Sequence, residues 1–251
     1  MGIGRPLLPL GFALVALADI DSTNEEAKRR AEQGAPGGTV VWARQQSSGK
    51  GRRGRSFVSP PGNCYSSLIL RPRLAPAVAA EASFVTAVAV AEAVAALLPA
   101  GPRVTCKWPN DVLVDGRKCS GILLESRLGG TAVDWIVIGV GINVQSHPEG
   151  LEFPATSLSA AGGAAGVESV LEKYLERLAF WLDRWQAEGF QPVRAAWLLS
   201  ADGLGRPVRV RLADATLDGV FESLDEQGAL VLLGADGSRR RITAGEVFRP
   251  A

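Results

Sequence analysis

The first half of the chain alternates apolar stretches with polar ones, and the two kinds predict different elements. Phe12–Ile20 predicts a buried strand. Glu25–Gly34 carries acids first and a glycine last, which is the order expected along a helix. Thr39–Arg44 and Tyr65–Leu70 predict strands on either side of a basic loop. Ala75–Leu98 is apolar almost all round, so it predicts one long helix buried between layers.

The middle of the chain predicts a hairpin, a strand and two helices. Val112–Val114 and Lys118–Ser126 alternate as two strands around an Asp-Gly turn. Trp135–Val140 reads as a further buried strand. Glu168–Glu188 has its large apolar residues on one face, as in a helix packed on a core, and Val193–Ser200 adds a shorter helix.

The pattern changes after Gly205, where short alternating segments are separated by turn residues. Regular short strands of this kind predict a small β-barrel of about 45 residues. We therefore divide the chain into two domains, residues 1–202 and 203–251. The predicted strands of the second domain are Val208–Leu212, Thr216–Ser223, Ala229–Leu233 and Arg239–Thr243.

Composition is that of an ordinary globular protein. Of the 251 residues, 47% are hydrophobic and 21% are charged, and the net charge of +1 argues against a dedicated nucleic-acid or membrane protein. Cys64, Cys106 and Cys119 form no CxxC pair and leave an odd number, which predicts a reducing, cytoplasmic setting. Leu7–Ala18 is apolar but too short to span a bilayer.

The loop Gln46–Arg55 concentrates four cationic side chains and three glycines. Glycine lets the backbone bend around a ligand, and the cations suit an anion. A solvated surface loop has the same composition, so on the loop alone the two interpretations are about equal. Ser22 and Thr23 precede a helix, and the default interpretation is that they only cap it; the alternative is that the free N–H groups of the helix N-terminus face a ligand.

Several familiar site patterns are excluded. Gly139 and Gly141 begin a GxGxxG motif that Val144 breaks, and Gly49-Lys50 lacks the remainder of a Walker A loop. A single histidine, His147, makes zinc hydrolase and Ser-His-Asp sites improbable.

Five motifs occur in order along the chain, and together they resemble the biotin protein ligases. They are Asp21–Asn24, the loop Gln46–Arg55, Lys107–Asp111, Arg117–Leu123 and Gly139–Val144. The resemblance covers essentially the whole chain. It implies an α+β fold: a mixed, mostly antiparallel sheet flanked by helices, similar to the class II synthetases, followed by an SH3-like β-barrel.

The resemblance implies a two-step reaction with biotin, ATP and Mg²⁺. The carboxylate of biotin attacks the α-phosphate of ATP, and the lysine amine of a biotin carboxyl carrier protein then attacks the mixed anhydride. Both nucleophiles come from substrates, so the enzyme supplies fixed cations and N–H groups rather than a nucleophile of its own.

Residue roles follow from the same resemblance. Arg52, Lys107 and Lys118 are the expected catalytic residues. The expected biotin contacts are Ser22, Thr23, Asn24, Gln46, Lys50, Gly51, Arg52 and Lys118. The expected nucleotide contacts are Gly49, Arg53, Arg55, Phe57, Asn110, Asp111 and Asn143, and no specific metal ligands follow. Lys50 departs from the family's usual arginine, which keeps the charge and loses the bidentate fork.

Partners and alternatives complete the prediction. The motif Asp21–Asn24 comes too early for the DNA-binding domain that some members carry, so no DNA binding is expected; a homodimer remains open. A lipoate ligase would share the fold and the adenylation chemistry. A nucleic-acid module would need aromatic residues among the basic ones. A catalytically dead biotin-binding protein is disfavoured by Arg52 and Lys118.

Overall fold

A computed structural model describes residues 6–249, which form twelve strands and five α-helices. The strands are β1 (Ala13–Ile20), β2 (Thr39–Gln46), β3 (Cys64–Leu70), β4 (Val104–Lys107), β5 (Asp111–Val114), β6 (Arg117–Gly129), β7 (Ala132–Ile142), β8 (Pro207–Arg211), β9 (Thr216–Leu224), β10 (Leu230–Leu233), β11 (Arg239–Ile242) and β12 (Glu246–Phe248). The helices are α1 (Thr23–Glu32), α2 (Pro76–Ala80), α3 (Ala82–Leu97), α4 (Val167–Glu188) and α5 (Phe190–Leu199).

The first seven strands form one mixed sheet in the order β1-β2-β3-β7-β6-β5-β4. Only the pairing of β1 with β2 is parallel among these strands, and the others pair antiparallel. The predicted hairpin between β5 and β6 is present, and Asp115 and Gly116 at its turn both have positive φ angles, 48° and 73°. The predicted α+β class is confirmed.

The two faces of this sheet are covered by different helices. Alternate residues of a strand point to opposite faces, so Ile136 and Ile138 of β7 pack on the side of α3 and α4. Trp135 and Val137 point the other way, into the smaller core under α1. Beyond Val137, the α1 side of the sheet is not filled by apolar side chains, because the next two residues of β7 on that face are glycines, and a cavity opens there.

The long apolar segment forms two helices instead of the single predicted one. The break between α2 and α3 falls at Glu81, whose buried carboxylate accepts a hydrogen bond from Trp185 Nε1 of α4 at 2.7 Å. Among the described residues, the segment Pro76–Leu97 is long and apolar enough to cross a membrane, but 72% of its most apolar 18-residue stretch is buried inside the protein. Its composition is therefore explained by core packing, as predicted.

Two predictions about the first elements were wrong. The strand predicted at Phe12–Ile20 exists, but β1 is the edge of the sheet and none of its residues is buried. The side chain of Ser22, at the N-cap position of α1, makes no capping hydrogen bond, and Thr23 Oγ1 bonds to Gln46 instead. The sequence also missed β4, which precedes the predicted hairpin.

The C-terminal strands form a separate antiparallel sheet in the order β11-β10-β9-β8-β12, which confirms the predicted small β-domain and adds β12. Its β9–β10 turn contacts the first domain, since Trp108 Nε1 donates to the carbonyl of Gly228 at 3.1 Å. Arg194 of α5 donates to the carbonyls of Leu224 and Asp225. The division at residues 202 and 203 remains a prediction.

Candidate active site

A cavity of about 530 Å³ lies on the α1 side of the sheet, and fourteen of the sixteen predicted site residues line it. The lining combines the start of α1, the basic loop, the hairpin β5–β6 and the end of β7. The fourteen are Ser22, Thr23, Asn24, Gln46, Lys50, Gly51, Arg52, Arg55, Phe57, Lys107, Asn110, Asp111, Lys118 and Asn143.

The remaining two predicted residues, Gly49 and Arg53, lie outside the lining. Arg53 is exposed and has a positive φ of 56°. Gly49 is needed for the shape of the loop, because a Cβ there would lie 2.4 Å from the carbonyl oxygen of Phe57. Gly49 therefore allows the two sides of the loop to approach each other.

One end of the cavity, which we call the neutral end, is lined by the uncharged hydrogen-bonding side chains of Ser22, Thr23, Asn24 and Gln46. The backbone N–H and hydroxyl of Thr23 both donate to Gln46 Oε1, at 2.8 and 3.1 Å. Ser67 Oγ donates to Asn24 Oδ1 at 2.6 Å, and Asn24 Nδ2 donates to Glu125 at 2.9 Å. Hydroxyl and amide groups held in this way offer both donors and acceptors to a small polar ligand.

Two glycines of β7 make room for this arrangement. A Cβ on Gly139 would lie 2.0 Å from Asn24 Oδ1, and a Cβ on Gly141 would lie 2.6 Å from the ring of Phe57. Contacts that short are not tolerated, so a larger residue at either position would displace the side chain of Asn24 or Phe57. The glycine motif of β7 thus creates space for side chains instead of binding phosphate.

The other end of the cavity is cationic. Arg52 Nη1 donates to Asn110 Oδ1 at 3.0 Å, and Asn110 Nδ2 donates to the carbonyl of Ile122 at 2.7 Å. Lys118 Nζ lies 2.6 Å from Asp111 Oδ1. Asn110 and Asp111 therefore fix the positions of one arginine and one lysine.

Lys107 is the most deeply buried of these cations, with 8% of its surface exposed. Its ammonium lies 3.6 Å from the centroid of the Phe153 ring and 5.3 Å from that of Phe248. Burial lowers its pKa, and Lys118 adds to that effect while Asp111 opposes it. Burial also lowers the pKa of Arg52, assisted by the charge of Arg53. Both pKa shifts indicate that nearby carboxylates do not fully neutralise the positive charge at this end of the cavity. Such a site favours the binding of an anion.

Ion pairs tie the basic loop to the protein in its middle and at its C-terminal end. Lys50 forms an ion pair with Glu25 in the first turn of α1. Arg55 Nη2 lies 2.7 Å from Glu246 of β12, so the C-terminal domain also contacts the loop. Between them, a short 3₁₀ turn at Arg52–Gly54 directs Arg52 to the cavity.

Asn143 lines the cavity, but its amide is already bonded within the protein. Its Nδ2 donates to the carbonyl of Thr156 at 2.9 Å, and a longer contact reaches the carbonyl of Lys118 at 3.4 Å. The side chain therefore joins β6 to the segment after the glycine motif.

Sequence reasoning missed several functional residues. Ser67 and Glu125 do not line the cavity but hydrogen-bond Asn24, and their positions in the sequence carry no specific signal. Phe153 and Glu246 line the cavity and carry no signal either, because they come from a loop and from another domain.

The donor set does not form a metal cage. Within residues 6–249, no three His, Cys, Asp or Glu side chains cluster closely enough to hold a metal ion. Asp111 Oδ1 is buried and forms an ion pair with Lys118 at 2.6 Å. Mg²⁺ commonly binds through one or two carboxylates together with substrate phosphates. The cavity therefore fits an ion that enters with a nucleotide.

Comparisons with known proteins agree with this geometry. The model of the Biotin/lipoate A/B protein ligase family matches residues 17–143, and that of the Biotin protein ligase C terminal domain matches residues 203–249. The chain belongs to this family of ligases, and within it to the biotin protein ligases.

The relatives to which the chain is similar are named as biotin protein ligases or as ligase/repressor proteins. A biotin–[acetyl-CoA-carboxylase] ligase of Paracoccus denitrificans is 42% identical over 92% of this chain and 98% of the relative. A bifunctional ligase/repressor of Bacillus spizizenii is 34% identical over 94% of this chain and 74% of the relative. The structure of the Aquifex aeolicus biotin protein ligase with biotin and ATP superposes with a TM-score of 0.80 at 30% identity, covering 94% and 97% of the two chains.

Proposed function

We propose that this chain joins biotin to a lysine of a carrier protein in two ATP-dependent steps. The observation that carries the proposal is the union, in one cavity, of a neutral hydrogen-bonding end and a cationic end. A biotin molecule has matching ends, with an uncharged ureido ring at one end and a carboxylate at the other. The bound forms named for the Aquifex aeolicus structure support this assignment.

In the first step, a carboxylate oxygen of biotin attacks the α-phosphorus of ATP, and pyrophosphate leaves. Negative charge accumulates where two anions meet, so the main task of the protein is to hold cations at that point. Arg52, Lys107 and Lys118 are our candidates for this task, because they share the cationic end of the cavity. Thr23, Asn24 and the other residues of the neutral end would then orient the ureido ring.

In the second step, the ε-amine of the carrier lysine attacks the acyl carbon of the mixed anhydride, and AMP leaves. Neither step needs a nucleophilic side chain of the enzyme. The three cysteines are consistent with this, since burial raises the pKa of the thiols of Cys64, Cys106 and Cys119 to about 12 and keeps them protonated.

Magnesium would neutralise part of the phosphate charge when it is bound with ATP. Asp111, alongside Asn110, is the group that would hold it, since both line the cationic end. Phe57 and Arg55 are proposed to contact the nucleotide, because both line the cavity.

The proposed partner is the biotin carboxyl carrier protein of acetyl-CoA carboxylase or of a related carboxylase, as the name of the Paracoccus denitrificans relative supports. A cytoplasmic location, the absence of DNA binding and the homodimer stay predictions.

The test is pyrophosphate release by the purified protein. Biotin with Mg-ATP should release pyrophosphate, and addition of a biotin carrier domain should label its lysine. Reactions without biotin, and with the variant Lys118→Ala, serve as controls. The absence of biotin-dependent release would contradict the proposal, and release driven by lipoate would assign the chain to the lipoate ligases.

A further inference from the structure

Arg211, on strand β8 of the C-terminal domain, lies between two carboxylates that lead back to the cavity. Its guanidinium bonds both oxygens of Glu152, at 2.9 and 2.8 Å. The same guanidinium reaches Glu246 at 3.0 Å, and Glu246 in turn pairs with Arg55 at 2.7 Å. The four residues form one chain of alternating charge, which we call the Arg211 network: Arg55, Glu246, Arg211 and Glu152.

Each end of the Arg211 network lies on a segment that borders the cavity. Arg55 belongs to the basic loop. Glu152 precedes Phe153, whose ring covers the ammonium of Lys107 at 3.6 Å. Arg211 therefore connects the basic loop and the segment that carries Phe153, and it does so from a different domain.

The base of the network is rigid. Glu246 and Arg211 are directly opposite each other on the paired strands β12 and β8, so their side chains meet without any loop rearrangement. The guanidinium also stacks 4.4 Å from the centroid of the Phe248 ring, on the same strand as Glu246. Strand positions hold side chains more precisely than loops do, which suits a fixed support for two loops.

The charges of the network respond to one another. Glu246 is partly buried, which raises the pKa of its carboxyl, but hydrogen bonds from Arg211 and Arg55 outweigh burial and lower it overall. Hydrogen bonds from Arg211 likewise lower the pKa of Glu152. Both carboxylates are therefore ionised at neutral pH.

We infer that Arg211 is a positioning residue for the adenylation step. It holds Arg55 through Glu246 and Phe153 through Glu152. The basic loop and the segment that carries Phe153 are thereby kept in position around the nucleotide. This inference rests on the proposed function. Arg211 touches no substrate itself, and its effect is expected on the use of ATP more than on the use of biotin, because the residues it positions lie at the cationic end.

The experiment compares Arg211→Met with a matched control on the same strand. Arg209 is also exposed on β8, but its side chain pairs with Asp218 of β9 at 2.8 Å and takes no part in the Arg211 network. Arg211→Met should raise the KM for ATP by about five- to tenfold, the size expected when a partly exposed network of two to three ion pairs is lost. The KM for biotin and the melting temperature should change little, and Arg209→Met should match the wild type in every respect.

Two further measurements separate positioning from general stability. Arg211→Lys keeps one charge and should recover part of the ATP affinity. Glu152→Gln should also raise the KM for ATP, and the double variant Arg211→Met/Glu152→Gln should be no worse than Arg211→Met, because both changes break the same link. Additive effects, or an Arg211→Met variant equal to Arg209→Met, would overturn the inference.

The experiment distinguishes failure of the positioning role from failure of the proposed function. An inactive wild-type protein would contradict the ligase proposal itself. An active wild type with an unaffected KM for ATP in Arg211→Met would contradict only the positioning role. If Arg211→Met does not fold, Glu152→Gln gives the same test from the loop side.

Discussion

The carboxylate of Asp111 lies 2.6 Å from the ammonium of Lys118, across the paired strands β5 and β6. The register of these strands shifts between Val112 and Leu113, and Gly121 lies where a Cβ would come within 3.2 Å of the lysine side chain. The bulge and the glycine together allow Lys118 to lie along the floor of the cavity. The pair therefore results from backbone geometry as well as from charge.

Lys118→Ala should reduce biotin-dependent pyrophosphate release strongly. Loss of one preorganised donor to the developing charge costs about 2.7–4 kcal/mol, or about 10²- to 10³-fold in kcat. Steady-state pyrophosphate assays give the value directly. Lys173, which pairs with Glu176 on the outer face of α4, provides the control, and Lys173→Ala should retain full activity. A Lys118→Ala enzyme with near wild-type kcat would remove this lysine from the site.

Gly139→Ala should impair the neutral end of the cavity. The added methyl group would lie 2.0 Å from Asn24 Oδ1, so the asparagine must leave its hydrogen bond with Ser67. Disturbance of a buried hydrogen-bonding group costs about 1–3 kcal/mol, so the KM for biotin should rise about tenfold or more, with a smaller change for ATP.

Gly166→Ala is the matched control for that substitution. Gly166 precedes α4, and the nearest atom to its Cβ position is a carboxylate oxygen of Glu168 at 3.8 Å. Its biotin kinetics should be unchanged. Equal KM values for biotin in the two variants would show that the space above Gly139 does not serve biotin.

Phe57→Ala should weaken the use of ATP selectively. The ring of Phe57 lies over Gly141 and meets Tyr65 edge to face, with centroids 6.2 Å apart. Stacking between an aromatic side chain and a base contributes about 1–3 kcal/mol, so the KM for ATP should rise about five- to 140-fold. Calorimetry with biotin alone should give wild-type affinity. A larger defect in biotin binding than in ATP use would assign Phe57 to the biotin side.

Lys107→Met should make the protein more stable and less active at neutral pH. Burial lowers the pKa of Lys107, so the folded state bears a cost for holding this charge, and methionine removes that cost while packing against Phe153. Between the lowered pKa and the ordinary value of 10.5, the unfolded chain binds more protons than the folded one. The wild type therefore gains stability relative to the variant as pH rises through that interval.

Thermal unfolding of both proteins across neutral to alkaline pH measures this effect. The difference in melting temperature should be largest at neutral pH and shrink as pH rises. A difference that grows with pH would contradict the assigned burial cost. Activity of Lys107→Met should stay low at every pH, because the cation is absent throughout.

Much of the fold and most of the site follow from local sequence. Alternating and helical patterns located β2, β3, β7 and α4 with only small errors at their ends. Five short motifs identified thirteen of the residues that line the cavity, and the family resemblance added Phe57. Such features can be predicted from the sequence because they depend on residues a few positions apart in the chain, or on motifs that occur in a fixed order along it.

Other features depend on packing between distant segments, and only the tertiary structure decided them. The apolar pattern of β1 is that of a buried strand, yet β1 lies at the sheet edge, because apolarity does not reveal how many neighbours a strand has. Ser22 has the residue type of a helix cap, but its side chain forms no capping bond, since local capping competes with long-range contacts.

The charged contacts around the cavity show the same limit most clearly. Glu152, Arg211 and Glu246 are far apart in sequence and carry no shared motif, so nothing local indicates that they meet. The docking of the C-terminal sheet brings them together beside Arg55. The sequence thus determined which residues can do the chemistry, whereas the packing of two domains decided which residues hold them in place.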